Sequence, residues 1–395
     1  MSILVLNRNA NYPFEEWLCS NKDLYYLTTK EKEFRLSRDN VEGFHNYEKN
    51  GELEIRAIEL YSFHRFERVI ATSEYDILRA ARIREYLGID GQKVTSALAY
   101  RDKYIMKEYV SAKGLKTPNY RMADSPTDIY SFIQEHGYPI VIKPRDGSGS
   151  EGVELIRNVY ELKKYVSKNE VCNQLVEEYI EGEMYHIDGL VINSQIAFQW
   201  PSKYINGCLS HKDATFNGSY QLSPENPLFK RLTLFTGKII NSLPKVNDMA
   251  FHAEVFVNEQ DELVFCEIAC RRGGGYIAEA IEQSFQVDLT KLSVQAQCGI
   301  DVQIPSYKNG ERSGFLLIPY KIGIIKSLKT DFEYDWITKS RIYAEPGETY
   351  ESNSASSVDV LAQFLIKGQD EDELIERIHH LASEFDIATK WEMTY

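Results

Sequence analysis

The segment Phe251–Gly275, which reads FHAEVFVNEQDELVFCEIACRRGGG, constrains the fold more than any other part of the chain. The residues around Glu254 and around Glu267 are apolar and β-prone, and Asn258–Asp261 has the composition of a turn, so a β-hairpin is predicted. With a loop at Glu259–Glu262, the two glutamates lie directly opposite each other on one face of the hairpin. A shift of one residue in register would destroy this arrangement.

Two carboxylates held this close repel each other unless a cation lies between them. Their hard oxygen ligands suit Mg²⁺ bound to substrate phosphates, and Arg271 follows Glu267 closely enough to reach the same centre. The alternative is a solvated acidic face on an ordinary strand. The apolar neighbours of Glu267 in LVFCEIA favour the metal site, because an unpaired carboxylate among them would be costly.

The length and the net charge of the chain limit the class of protein to which it belongs. Its 395 residues should divide into two or three domains. The 45 basic and 59 acidic residues give a net charge of −14, which argues against nonspecific binding to nucleic acid or to anionic membranes. The six cysteines lack metal-binding spacing and no apolar run reaches membrane length, so we expect a cytoplasmic protein with reduced thiols.

Strand and helix patterns alternate through residues 1–95, which predicts a Rossmann-like parallel α/β domain, although the dinucleotide fingerprint GxGxxG is missing. Glu74 follows the end of a strand in this domain. Ligands favour the carboxyl ends of parallel strands, so Glu74 is a candidate substrate contact. Further along the chain, the polar stretch Ser202–Pro227 is predicted to be a mobile loop over a site.

A glycine-rich loop, DGSGSEG at Asp146–Gly152, follows the apolar strand IVIK that ends at Lys143. It is not a Walker A motif, because no Gly-Lys-Ser/Thr follows. Lys143 is either a snorkelling residue at a strand edge or a cation that points into a cleft. Glycines let backbone N–H groups approach phosphates and hydroxyls add donors. The loop contains both kinds of residue: the glycines are Gly147, Gly149 and Gly152, and the hydroxyls belong to Ser148 and Ser150.

An acidic run, VEEYIEGE at Val176–Glu183, has the pattern of a strand and a turn. Its carboxylates are either solvated or hydrogen-bonded to the adenine amino group and the ribose hydroxyls of a nucleotide. In the second case the backbone of Glu178 and Ile180 would contact the edge of the base. The run alone does not decide between these alternatives.

The motifs occur in a fixed order: Arg101-Asp102-Lys103, IVIKP with its glycine-rich loop, VEEYIEGE, and the two glutamates followed by Arg271. In this order and spacing they resemble the ATP-grasp superfamily of carboxylate ligases over residues 70–300. The resemblance implies an ATP-grasp domain of α+β type at residues 96–300, with a nucleotide-lid subdomain near residues 115–185. Residues 1–95 would form the preceding α/β domain and residues 301–395 a mixed α+β domain that completes the ligase.

The resemblance also implies roles for individual residues. The ATP-binding residues that it implies are Lys103, Lys143, Ser148, Gly149, Ser150, Glu177, Glu178, Ile180 and Glu183. The two lysines would contact the phosphates, Glu177 the adenine amino group and Glu183 the ribose. Mg²⁺, with Mn²⁺ as a substitute, would bind the carboxylates of Glu254 and Glu267. Arg271 would be catalytic, stabilising the transferring phosphoryl group and the tetrahedral intermediate.

One position departs from the pattern of the superfamily. Many members carry an asparagine two residues after the second metal glutamate, whereas this chain has Ala269. A second Mg²⁺ is therefore expected to bind more weakly or to be completed by water. Gly273–Gly275 precede a predicted helix and form either an anion site for an α-carboxylate or a tight turn. Arg272, Gly274 and Gly275 are accordingly candidate substrate contacts.

The form EIACRRGGG resembles a subgroup that contains amino-acid ligases and carrier-protein ligases. The predicted function is activation of a carboxylate, that of an amino acid, as an acyl phosphate, which is then joined to an amine with release of ADP and phosphate. The alternatives are loading of an amino acid onto the phosphopantetheine thiol of an acyl carrier protein, an ATP-grasp kinase, and an inactive nucleotide-binding module. A homodimer is a further expectation.

Overall fold

The computed structural model describes residues 2–8, 11–18, 23–36, 40–306 and 310–392. Within these ranges the strands form four sheets, two of four strands, one of eight and one of three. The two cavities of the candidate active site, described below, both border the eight-stranded sheet. In the same ranges, every helix is too short or too polar to cross a membrane.

The first sheet is entirely parallel, which confirms the predicted N-terminal α/β unit. Its strands are β1 Ser2–Asn7, β2 Asp23–Thr29, β3 Val41–Phe44 and β4 Arg68–Ala71, in the order β3-β2-β1-β4. Its helices are α1 Phe14–Trp17, α2 Lys30–Leu36, α3 Glu52–His64, α4 Asp76–Leu87 and α5 Val94–Ala99, with a 3₁₀ turn at Tyr47–Lys49. Gly88 ends α4 in the left-handed region, with φ of 68°, where glycine is favoured.

The second four-stranded sheet lies in the predicted lid subdomain and is antiparallel. Its strands are β5 Tyr120–Ala123, β6 Ile140–Pro144, β7 Glu154–Ile156 and β8 Gln174–Glu178, in the order β5-β8-β6-β7. Three helices accompany them, namely α6 Lys103–Ser111, α7 Pro126–His136 and α8 Val159–Val166. Asp102, Ser125 and Asn158 cap these helices through side-chain oxygens that accept backbone N–H bonds. The glycine-rich loop connects β6 to β7.

The eight-stranded sheet runs in the order β13-β12-β9-β10-β11-β14-β18-β16. Its strands are β9 Gly182–Ile192, β10 Gln195–Ile205, β11 Asn217–Gln221, β12 Met249–Asn258, β13 Leu263–Ala269, β14 Arg312–Pro319, β16 Ile337–Ile342 and β18 Val360–Gly368. A small sheet of order β17-β15-β19 is formed by β15 Gly323–Ser327, β17 Thr349–Tyr350 and β19 Lys390–Glu392. The remaining helices are α9 Pro227–Ser242, α10 Ile277–Phe285, α11 Leu289–Gln297 and α12 Glu371–Ala388. The division at residue 300 stays a prediction, and the large sheet continues across it from β13 to β18.

The prediction that Ser202–Pro227 is a loop throughout was wrong, although Tyr204 and Cys208 of this stretch do line the site described below. This stretch contains the end of β10, a 3₁₀ turn at Ser210–Asp213 and β11, which pairs with both β10 and β14. Every residue of β11 is buried although its sequence, NGSYQ, is polar. Several of its polar side chains form hydrogen bonds inside the protein: Gln221 donates to the Ala280 carbonyl at 2.9 Å, and Asn217 Nδ2 donates to the Gly207 carbonyl at 3.2 Å. Buried hydrogen bonds, which the local composition does not reveal, therefore allow a polar strand in the sheet.

Candidate active site

The hairpin formed by β12 and β13 places Glu254 directly opposite Glu267, as predicted. The two strands do not keep one continuous pairing register along the hairpin. Above the turn, Val255 pairs with Phe265, so an uninterrupted ladder would bring Glu254 opposite Cys266. A β-bulge absorbs one residue at this point and restores the pairing of the two glutamates. The bulge is therefore what creates the paired carboxylates, here called the acidic platform.

Two cavities meet at the acidic platform, because Glu254 and Glu267 line both of them. One, of about 410 Å³, is called the lysine cleft. Its predicted site residues are Lys103, Lys143, Ser148, Ser150, Glu177, Glu178, Ile180 and Glu183. The other, of about 530 Å³, is called the arginine cleft. Its predicted site residues are Glu74, Ser148, Gly149, Ser150, Arg271, Arg272, Gly274 and Gly275. The structure thus gathers every predicted site residue around the platform.

Lys143 points inward and is not a snorkelling residue. Its side chain is almost completely buried, and its Nζ lies 2.5 Å from Glu177 Oε1. Glu177 Oε2 lies 3.2 Å from Nζ of Lys107, which also donates to the Cys266 carbonyl at 2.7 Å. Burial alone would lower the pKa of Lys143, but Glu177 reverses this effect and the pKa is raised. The lysine therefore stays cationic at the base of the cleft.

Glu177 has protein partners that the sequence did not suggest. The resemblance gave its carboxylate to the adenine amino group, whereas in the structure it joins Lys107 and Lys143. Burial acts to raise the pKa of Glu177, but the two lysines lower it overall, so the carboxylate is ionised. Contact with adenine stays a prediction, and the observed contacts make Glu177 the group that orients Lys143.

Replacing Lys143 tests whether the lysine cleft binds phosphates. In Lys143→Ala we expect ATP affinity to fall about 10- to 100-fold, since a hydrogen bond to a charged group contributes about 1.5–3 kcal/mol. Equilibrium titration with a non-hydrolysable ATP analogue measures the affinity, and thermal unfolding checks that the fold persists. Lys164→Ala, which removes an exposed lysine of α8 in the same subdomain, is the control. Unchanged affinity in Lys143→Ala would remove this lysine from the site.

Lys103 connects the glycine-rich loop to the acidic platform. Its Nζ donates to the Gly147 carbonyl at 2.7 Å and lies 3.2 Å from Glu267 Oε2. Burial would raise the pKa of Glu267, but Lys103 and Lys143 outweigh that effect and lower the pKa to about 2. At neutral pH the platform therefore carries an ionised Glu267 carboxylate facing a lysine.

The glycine-rich loop rests on a C-terminal segment that sequence reasoning did not implicate. The Gly149 carbonyl accepts hydrogen bonds from Ser357 N at 2.9 Å and from Ser357 Oγ at 3.2 Å. Gly149 has φ of 63°, and Ser150, with φ of 61°, is also in the left-handed region. Ser356, Ser357 and Val358 line the arginine cleft beside the loop. The loop thus forms a shared wall between the two clefts.

The far end of the lysine cleft contains the predicted base and ribose contacts. Glu178 Oε2 accepts from Asn119 Nδ2 at 3.0 Å, and the Glu178 N–H donates to the Asn119 carbonyl at 2.9 Å. Glu183 Oε1 lies 2.5 Å from Lys203 Nζ, and its Oε2 accepts from Tyr185 at 2.9 Å. Ile180 lines the cleft between them. Their contacts with adenine and ribose stay predictions.

Glu74 and Arg271 form the charged wall of the arginine cleft. Glu74 is 8% exposed and pairs with Arg271 and with Arg101. Burial would raise the pKa of Glu74, but the two arginines lower it overall, so a carboxylate is shared by two guanidinium groups. Arg271 Nη1 also donates to the Arg272 carbonyl at 2.7 Å. The guanidinium of Arg271 is thereby fixed beside the platform.

The glycine run Gly273–Gly275 forms the tight turn that was one of the two alternatives left open by the sequence. Ile277 N donates to the Gly274 carbonyl at 3.3 Å, so a turn is present before α10, and Gly275 has φ of 58°. The run also lines the arginine cleft. Arg272 also lines this cleft, and its Nη1 lies 3.1 Å from Glu279 Oε2. Binding of an α-carboxylate here stays a prediction.

Sequence reasoning missed several residues that line the clefts. Arg8 and Tyr12 reach the arginine cleft from the N-terminal sheet, and Tyr204 and Cys208 line both clefts. Nothing in the local sequence marks Arg8 and Tyr12, whose positions depend on tertiary contacts, whereas Tyr204 and Cys208 belong to the stretch Ser202–Pro227 that was predicted to lie over a site. A signal did exist for His252, since HxE in β12 puts two polar side chains on one face of an otherwise apolar strand.

Glu254 is held by three donors. His252 Nε2 lies 3.3 Å from its Oε1, the Tyr204 hydroxyl donates to the same oxygen at 3.2 Å, and the Cys208 thiol does so at 3.6 Å. Burial lowers the pKa of His252, but Asp188 and Glu254 raise it to about 10 overall. A cationic imidazole therefore accompanies Glu254.

Residues 136–280 match the sequence profile of the ATP-grasp domain family. The whole fold is similar to that of an L-amino acid ligase from Bacillus licheniformis, with a TM-score of 0.75 over 100% of this chain and 99% of that chain, at 15% identity. The protein has the ATP-grasp fold. The fold prediction is thereby confirmed, and the two clefts belong to this ATP-grasp structure.

Curated proteins are also similar to this chain. The L-arginine-specific L-amino acid ligase of Bacillus subtilis is 26% identical over 314 residues, which are 77% of this chain and 76% of that protein. Dapdiamide A synthase of Enterobacter agglomerans is 26% identical over 199 residues, 47% of this chain and 45% of that protein. The first of these alignments supports the resemblance to amino-acid ligases that the form EIACRRGGG suggested.

Proposed function

We propose that this protein is an ATP-dependent ligase that activates the carboxylate of an amino acid as an acyl phosphate and joins it to an amine, with ADP and phosphate as products. The observation that carries the proposal is the meeting of the lysine cleft and the arginine cleft at the acidic platform. A phosphoryl group bound at the platform would be in reach of both clefts. The likeness to amino-acid ligases supports the same assignment.

In this proposal the lysine cleft binds ATP. Lys103 and Lys143 bring two buried cations to the phosphate end, next to the glycine-rich loop. The platform fits Mg²⁺, because paired carboxylates supply the oxygen ligands that this ion prefers. A bound Mg²⁺ would neutralise charge on the phosphates during transfer. Ala269 is buried and brings no side-chain ligand, so a second ion would depend on water for its coordination.

The arginine cleft then binds the carboxylate that is activated. A carboxylate oxygen attacks the γ-phosphorus, the bond from phosphorus to the β,γ-bridging oxygen breaks, and ADP leaves. The amine next attacks the carbonyl carbon of the acyl phosphate, loses a proton, and expels phosphate. Arg271 lines this cleft together with Glu267 and would stabilise negative charge on the phosphoryl oxygens and on the tetrahedral oxygen.

An acyl phosphate must be protected from water until the amine arrives. The glycine-rich loop, held to Ser357 through the Gly149 carbonyl, covers the junction of the two clefts. Closure of this loop would exclude water from both phosphate and carboxylate. The proposal therefore gives the contact between the loop and the C-terminal segment a role in the reaction.

The test is release of ADP and phosphate with ATP, Mg²⁺ and a panel of amino acids, offered singly and in pairs. Under the proposal, ADP forms only when a suitable carboxylate is present, hydroxylamine traps the acyl phosphate as a hydroxamate, and mass spectrometry finds the amide when an amine is added. A stable phosphorylated product would identify a kinase. Turnover only with a phosphopantetheinylated carrier protein would identify a thiol acceptor, and absence of ADP under every condition would contradict the proposal.

A further inference from the structure

A chain of buried polar side chains extends from the acidic platform into the eight-stranded sheet. It consists of His252, Asp188 and His186, here called the histidine relay, and each is at most 7% exposed. His252 Nδ1 lies 2.9 Å from Asp188 Oδ1, and Asp188 Oδ2 lies 2.5 Å from His186 Nδ1. His186 Nε2 then lies 2.7 Å from Ser219 Oγ in β11. The reaction proposed above makes no direct use of these groups.

The strand register explains how the relay forms. In the ladder between β9 and β12, His252 pairs with Asp188, and Glu254 pairs with His186. Side chains two residues apart on a strand point to the same face, so all four groups share one face of the sheet. This arrangement is encoded by HxD in β9 and HxE in β12.

The relay reaches only one of the two oxygens of Glu254. Within the described residues, the hydrogen bonds that reach this carboxylate come from His252, Tyr204 and Cys208, and all end on Oε1. Carboxylates only accept, so His252, which lies between Glu254 and Asp188, donates from both ring nitrogens. These three donors thereby fix the orientation of the Glu254 carboxylate through its Oε1 atom.

We propose that the histidine relay is a positioning device that binds Oε1 of Glu254 and so presents Oε2 to the metal ion of the acidic platform. The inference rests on the proposed role of Glu254 as a metal ligand. Partners of this kind orient a ligand and commonly contribute about 10- to 100-fold to metal affinity. His252 and Asp188 are then positioning residues that act through Glu254, and His186 with Ser219 holds the far end.

A different role for the same residues is a metal centre of their own. Ligand atoms of His186, Asp188 and His252 lie within 4.8 Å of one another, which is compatible with one bound ion. The hydrogen-bond geometry favours the relay, because Nδ1 of both histidines approaches Asp188 directly at hydrogen-bonding distance. A transition metal would instead need the lone pair of a neutral imidazole from each ring.

The test measures metal binding without turnover. Mn²⁺ binding to the full-length protein with a non-hydrolysable ATP analogue is followed by electron paramagnetic resonance of free Mn²⁺. His252→Asn keeps a polar group near Asp188 but is too short to reach Glu254, and Asp188→Asn removes the charge while keeping the shape. We expect both variants to bind Mn²⁺ about 10- to 100-fold more weakly. His379→Asn, an exposed histidine of α12, should bind Mn²⁺ like the wild type.

Three outcomes decide the matter. Wild-type Mn²⁺ affinity in folded His252→Asn and Asp188→Asn, with at most a lower unfolding temperature, would overturn the relay and leave a structural network. One tightly held transition metal per chain, lost in His186→Asn, would also overturn it. If one of the two variants fails to fold, the other supplies the comparison. Because no amino-acid substrate is present, weaker Mn²⁺ binding supports the relay even if the ligase assay is negative.

Discussion

Glu267→Gln is expected to lower the rate of ADP formation by at least about 100-fold while the protein stays folded. Glutamine keeps the size of the side chain but removes the negative charge that faces Lys103 at 3.2 Å and is paired across the hairpin with Glu254. Since the pKa of Glu267 is lowered to about 2, the native group is a carboxylate at any working pH. Steady-state assay of ADP at saturating ATP and Mg²⁺ measures the loss, and thermal unfolding reports the fold.

The matched control lies on the same hairpin. Glu262 is in the turn, its side chain is 48% exposed, and it pairs with Lys116. Exposed ion pairs contribute at most about 1 kcal/mol, so Glu262→Gln should keep both the rate and the unfolding temperature close to the wild-type values. Full activity in Glu267→Gln would remove the acidic platform from the reaction.

Local signals in the sequence were enough to predict much of the fold. The hairpin at β12 and β13 follows from two apolar runs around a turn, and Asp102 and Ser125 are residues of the type that caps free N–H groups just before a helix, as they do for α6 and α7. The position of Glu254 opposite Glu267 was also predicted, although the bulge that produces it was not. A bulge inserts one residue without a distinctive composition, so the pattern alone does not reveal it.

The rest of the site depends on contacts between distant parts of the chain. Glu74 meets Arg271 across 197 positions, and Gly149 meets Ser357 across 208 positions. No periodicity or motif connects such pairs, because the order of strands in the sheets brings them together. The same reason explains Glu177: the family resemblance implies a contact with adenine, and nothing in the sequence reveals its partners Lys107 and Lys143, which come from α6 and β6.

Arg271→Lys is the second substitution with a large expected effect. We expect kcat to fall about 100-fold while the affinity for ATP changes little, because Arg271 lines the arginine cleft and not the lysine cleft. The guanidinium contacts Glu74 and the Arg272 carbonyl at the same time. Lysine keeps the charge but is a point donor on a flexible chain, so the fork that fixes this cation beside the platform is lost.

The measurement separates kcat from nucleotide binding, with Arg231→Lys as the control. Arg231 lies in α9, and its Nη1 is 2.8 Å from Oδ1 of Asp261 in the exposed turn between β12 and β13. Its replacement should leave both kcat and the affinity for ATP unchanged. Glu74 keeps Arg101 as a partner in Arg271→Lys, so the buried carboxylate does not become unpaired and the fold should persist. If Arg271→Lys instead weakens ATP binding and retains its kcat, Arg271 contacts the nucleotide in the ground state and a different group must stabilise the transferring phosphoryl.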